Sequence, residues 1–294
     1  MTTHRFLPAI SILIGASLWG VIWYPLQLLE QGGLRGLWLV LAVYGAALCA
    51  SLPFLWRALP EFVARPGSLF FLMVAAGWTN IAFFEAVLGG NVLRALLLFY
   101  LSPLWAVVLG RLVLRETLTH TALWSLAVAM CGALFMLWNP EMGLPWPQSR
   151  ADWMALSSGF AFAVSNVLVR RMATTTVAAK SLAVWVGVVL MALVAMAVVP
   201  ASVPSISVPI FLGAVALGVF GILVMTLLVQ YGVTHLPVHR SAVLALVELL
   251  AGAVSQQLLS DQAVGAHEWL GGLLIVAGAW LSTRNLLQAG KPQA

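Results

Sequence analysis

Seven residues with chemistry to offer sit where a chain can least easily carry them. Trp19, Trp78, Asn80, Tyr100, Ser102, Pro103 and Glu248 fall near the middle of long apolar runs. Counting along each run at about 1.5 Å per helical residue brings them to mid-depth in a bilayer, with Glu85 nearer the end of its run. An ionised carboxylate there is expensive, so Glu248 must face a cavity or a polar partner, or be protonated. Two roles suit it: a substrate or proton site, and a neutral carboxyl bonded to a neighbouring helix. Pro103 cannot donate to the carbonyl of Phe99, which leaves a free acceptor and a bend, either lining a site or only shaping the packing. Trp19 and Trp78 lie too deep for an interfacial belt, and aromatic faces in a cavity can stack on rings or hold cationic heads. Trp23 shares a helix face with Trp19 and fits the belt. Asn166, Ser157, Ser158 and Ser165 give one run a polar stripe, with the serines suited to helix–helix contacts.

Other constellations carry less. His235 and His239 have metal-like spacing, but Pro237 lies between them in a basic turn, which favours an orientation or headgroup role. Cys49 and Cys131 sit in apolar runs without a CxxC or a His neighbour, so they read as small packing residues. Gly89-Gly90-Asn91 is a tight connection, since no following Lys and Ser/Thr complete a phosphate loop. HExxH, GxSxG and paired-carboxylate motifs are missing, so neither catalysis nor a cofactor or metal is expected. No repeated charged ring or filter element suggests a channel.

The elements that position these residues follow from composition. Hydrophobic residues make up 62% and charged residues 8% of the 294, against roughly 25% charged in soluble domains. The net charge of +5 is scattered at helix ends, which suits membrane orientation and not nucleic acid. Breaks at charge, Pro and Gly clusters give ten spans, near 7–29, 35–56, 68–88, 92–113, 120–138, 152–170, 181–199, 208–232, 238–259 and 267–286. The first is too long for a signal-peptide core.

The chain is also written twice. Arg115-Glu116-Thr117-Leu118 and Trp124 recur about 145 residues later as Ser260-Asp261-Gln262-Ala263 and Trp269. Each leads into a Gly-bearing helix, Cys131-Gly132-Ala133 and Ala277-Gly278-Ala279. Residues 1–138 and 152–294 therefore form two five-helix repeats, joined by a Pro-rich extracytoplasmic linker at 139–151. Lys and Arg divide eleven to three between the two sides, which places both termini in the cytoplasm. Five spans is an odd number, so the repeats are inverted and a site is expected between them. The fold class is an all-α integral membrane protein around a central cavity.

The run Leu98-Phe99-Tyr100-Leu101-Ser102-Pro103-Leu104-Trp105, then Gly110-Arg111, Arg115-Glu116-Thr117-Leu118 and Gly132, resembles the EamA-type half of bacterial drug/metabolite transporters. The second half matches more loosely: Asp261 stands where Glu is usual, and Glu248 aligns with Pro103. Tyr100-Leu101-Ser102-Pro103 and Phe84-Glu85 also resemble elements of the YddG-type aromatic amino-acid exporters, with shorter spacing and Ser102 in place of Trp. The resemblance implies a ten-helix secondary carrier of the bacterial inner membrane, working by alternating access. Amino acids, aromatic or otherwise neutral, are the expected cargo, exported by a monomer whose other partner is the bilayer. Trp19, Trp78, Asn80, Glu85, Tyr100, Ser102, Asn166 and Glu248 are the expected substrate-binding residues, with Pro103 as kink or gate. Organic-cation efflux is the alternative, and a lipid-modifying enzyme the more distant one.

Overall fold

The computed structural model describes residues 3–139, 146–199, 202–260 and 263–288, and these are helical with short connections. Nine helices among the described residues are long and apolar enough to cross a membrane: α1 (Phe6–Gln31), α2 (Leu37–Phe54), α3 (Pro66–Gly89), α4 (Val92–Val113), α5 (His120–Leu137), α6 (Arg150–Arg171), α7 (Val177–Val198), α8 (Val208–His235) and α9 (Val238–Leu259). A tenth, α10 (Ala266–Gln288), has 23 residues. Asp261 and Gln262 of the repeated motif and positions 140–145 of the expected linker lie outside the described residues.

Starts are set by side-chain caps. Asn91, Thr119 and Thr176 each accept the backbone N–H three residues on, and Ser149 with Asp152 forms a reciprocal capping box. Between α2 and α3 a short helix, Leu55–Ala64, exposes Trp56, Leu59 and Val63 along one flank. Its Glu61 accepts from the amide (2.7 Å) and the hydroxyl (2.6 Å) of Thr176, pinning the start of α7.

Packing carries the repeat into three dimensions. The helix α3 packs on α6 and α7, as α8 packs on α1 and α2; α4 meets α6, as α9 meets α1. Exchanging each helix with the one five places on maps these contacts onto one another, leaving α5–α10, α2–α7 and α4–α9 as self-related pairs. The two halves are thus inverted repeats about a pseudo-two-fold axis. The α5–α10 contact explains the repeated glycines. A Cβ on Gly132 would lie 2.5 Å from the Gly271 carbonyl oxygen, and one on Gly278 would lie 2.8 Å from that of Ser125. Close approach of this kind holds membrane helices together where lipid is as apolar as the side chains. Large apolar side chains such as Phe70, Phe71, Trp124 and Trp280 cover the outside, as a bilayer requires. The free cysteines Cys49 and Cys131 also face outward, so they are surface residues and not the packing residues expected.

Candidate functional site

Both fourth helices are broken, at matching places. The first segment of α4 ends at Phe99 and the second starts at Ser102; in α9 the segments end at Ala245 and restart at Val247. Leu101 and Leu246 are 145 residues apart, the spacing of the repeat. In α4 the cause is Pro103, which has no N–H for Phe99 and whose ring crowds that carbonyl. In α9 no proline is present. The turn tightens instead, with the Leu246 amide bonding Val243 O (3.2 Å) and the Leu249 amide bonding Leu246 O (3.1 Å). Tyr100, Leu101, Leu246 and Val247 pack in one cluster, so the two breaks face each other.

A glycine seats each broken helix on the other half. A Cβ on Gly159 of α6 would stand 2.5 Å from Phe99 O, and one on Gly20 of α1 would collide with Glu248 O. Backbone of one half therefore lies directly against backbone of the other at each break, so the freed Phe99 carbonyl is enclosed by protein and not by lipid.

Between the breaks lies a cleft lined by Phe99, Tyr100, Ser102, Pro103, Asn166 and Glu248, with Phe162, Leu246 and alanines completing it. Its volume is about 20 Å³, room for one or two waters. Phe99 is the centre of an aromatic wall, its ring 5.3 Å from Tyr100, 5.5 Å from Phe162 and 4.9 Å from Phe83. Glu248 is half-buried in the first turn of the second α9 segment, with the Tyr100 hydroxyl within its electrostatic reach. A carboxyl, a phenol, an amide and a hydroxyl thus converge on an aromatic face, and neither Lys nor Arg lines the cleft among the described residues.

Of the residues expected from sequence, Tyr100, Ser102, Pro103, Asn166 and Glu248 are brought together. The others lie elsewhere. Asn80 accepts from the Tyr44 hydroxyl (2.8 Å) and donates to Ala76 O, joining α3 to α2. Trp78 donates to Ser157 Oγ at 3.2 Å, and Trp19 packs in the apolar cluster of α1, α2, α7 and α8. Glu85 is exposed near the end of α3. Ser158 donates to Thr79 O at 2.6 Å, the helix contact expected of a serine there.

Three polar clusters beyond the cleft escape sequence reading. At the basic end, Glu116 accepts from the Val238 amide at 3.0 Å and lies 3.6 Å from Arg170 Nε and 3.5 Å from His239 Nδ1. It ties the α4–α5 connection to the start of α9 and the end of α6. His239 is therefore buried beside an acid and His235 bonds Tyr231 O, so the two histidines serve separate places. Lys180, one residue ahead of the span expected near 181–199, lies fully buried in the first turn of α7. Its Nζ donates to Thr234 Oγ1 (2.5 Å) and to Met172 O (3.2 Å), at the carbonyl end of α6 where a cation is favoured. At the opposite end, Arg94 Nε meets Asp152 Oδ2 at 3.1 Å, linking α4 to α6.

A solved crystal structure superposes on the chain with a TM-score of 0.73 at 17% identity, covering 95% of this chain and 98% of the other. At that identity the likeness speaks to fold alone. No curated protein matches the sequence. The model of the EamA-like transporter family matches twice, over residues 7–138 and 149–284. With both repeats matched and the paired helix breaks between them, the chain belongs to the EamA-like transporter family of the drug/metabolite transporter superfamily and is a multi-pass membrane transporter.

Proposed function

We propose that this transporter is a secondary carrier that exports amino acids, aromatic or otherwise neutral, and related small organic compounds by alternating access. The observation that carries the reading is the pair of facing helix breaks, which in transporters built from inverted repeats mark the substrate site at mid-membrane. The aromatic wall of Phe99, Tyr100 and Phe162 suits an apolar or aromatic body. Glu248 suits an ammonium head, and Ser102 and Asn166 suit the remaining polar groups. A phosphate ester would call for Lys or Arg at that depth. An organic cation shares the ammonium and the apolar body, so efflux of such cations is the second reading, resting on the same carboxyl and rings.

The cleft at about 20 Å³ is too small for an amino acid, and both ends of the bundle are tied, by Glu116 at one and by Arg94–Asp152 at the other. Transport on this reading alternates between releasing one tie and the other, with α4 and α9 hinging at their breaks. The protein sits in a bacterial inner membrane with both termini in the cytoplasm and works as a monomer. The test is uptake by proteoliposomes over a panel of amino acids and organic cations, with and without a pH gradient. Saturable amino-acid flux with competition among substrates supports the proposal; flux confined to phosphorylated compounds refutes it.

A further inference from the structure

Beside the Glu116 tie lies a second, smaller pocket, separate from the cleft, lined by Thr119, Thr121, His239, Arg240 and Ser282. It lies where α5, α9 and α10 meet, at the end of the bundle that carries Arg111, Arg115 and Arg170. Three independent observations converge on it. Ser282 is 5% exposed, and its Oγ has no hydrogen-bond partner among the described residues. The start of α5 borders the pocket through Thr119, Thr121 and Ala122: Thr119 Oγ1 takes the Ala122 amide, and the Thr121 amide has no intrahelical partner. Arg240 is half-buried, and its guanidinium makes no hydrogen bond or ion pair among the described residues. The acid within its electrostatic reach, Glu116, is already engaged by the Val238 amide, Arg170 and His239.

An amide without an intrahelical partner at the positive end of an 18-residue helix, a buried hydroxyl and a guanidinium unpaired among the described residues together ask for an anion with several acceptor oxygens. The pocket is about 10 Å³, the space of one water, so it admits a single oxygen and leaves the rest of the group at its mouth. We propose that this pocket seats a phosphate-bearing anion. One phosphoryl oxygen enters between Ser282 Oγ and the Thr121 amide, and Arg240 neutralises the remaining charge. The same chemistry fits the headgroup of an anionic phospholipid and a soluble phosphate.

The full-length protein in detergent, followed by thermal unfolding, separates these sources. One titration uses inorganic phosphate against chloride at equal ionic strength. The other uses dioctanoyl phosphatidylglycerol against dioctanoyl phosphatidylcholine. Saturable stabilisation by phosphatidylglycerol alone assigns a lipid headgroup, and by phosphate assigns a soluble ligand. In either case Arg240→Gln weakens the apparent affinity about tenfold or more, as loss of a charged hydrogen bond does. Ser282→Ala, which removes only an unpartnered hydroxyl, weakens it in the same direction and decides alone should Arg240→Gln not fold. Stabilisation by neither probe, or the same affinity in wild type and Ser282→Ala, overturns the proposal.

Discussion

Replacing Gly159 by alanine probes the joint between the halves with one methyl group. Its Cβ would stand 2.5 Å from the Phe99 carbonyl oxygen and 3.2 Å from the Cα and carbonyl carbon, where ordinary contact begins at 3.4 Å. All three neighbours are backbone atoms beside the Pro103 break, so no side chain can turn away to make room. Helix α6 must retreat from α4 by nearly an ångström at the cleft. Overpacking of this kind costs about 1–3 kcal/mol, against which the better helix propensity of alanine returns at most about 1 kcal/mol. Gly45 of α2 is the control, because a Cβ there meets nothing within 4 Å; Gly45→Ala should be neutral or slightly stabilising. Unfolding in mixed dodecylmaltoside–SDS micelles measures the difference, and counterflow in liposomes measures function. Gly159→Ala should lose both stability and flux while Gly45→Ala keeps both. Equal stability of the two variants would refute the reasoning that the α4 break is held by backbone contact.

Other outcomes follow from the ties and the buried charges. Glu248→Gln should fold normally and flatten the pH dependence of flux; an unchanged pH profile would leave Glu248 as a structural hydrogen-bonding group. Glu116→Gln loosens one end of the bundle and Asp152→Asn the other, so cysteines placed in the cleft should gain reactivity from opposite sides of the membrane in the two variants; a gain from the same side would break the alternating-access scheme. Lys180→Ala, which empties a fully buried site, should destabilise by about 2–5 kcal/mol, whereas Lys180→Met keeps most of the volume and costs less; a smaller loss in the alanine variant would mean the ammonium is not part of the packed core. With Cys49 and Cys131 replaced, Gln148→Cys should react with an impermeant thiol reagent from outside and Ala173→Cys from the cytoplasmic face alone; labelling of both from one side would contradict the inverted arrangement.

The sequence told height better than direction. Span positions, the duplication and the Pro103 break were all legible, because hydropathy and proline act locally along the chain. The matching break at Leu246 was not, since no Pro or Gly marks it and its turn packs against α4, a contact far off in the chain. Depth counting put Trp78, Asn80 and Tyr100 at one level but could not say which way each turns around its helix. Asn80 turns to Tyr44 and Trp78 to Ser157, while Tyr100 turns to the cleft. Lys180 near a span end reads as an interfacial charge, and its burial depends on Thr234, 54 residues on. Glu116 was visible as part of a repeat motif, yet its partner amide at Val238 lies 122 residues away. Such long-range pairs leave no local signature.

The central claim, that the cleft between the paired breaks carries amino acids, is tested most directly by counterflow. Purified protein is reconstituted in liposomes preloaded with a neutral amino acid, and entry of the labelled amino acid is followed in wild type and in Glu248→Gln and Tyr100→Phe variants. The account predicts saturable, ATP-independent exchange by the wild type that falls in both variants while their folding is preserved. Exchange that is strictly ATP-dependent, or that proceeds at the wild-type rate in both variants, would contradict it.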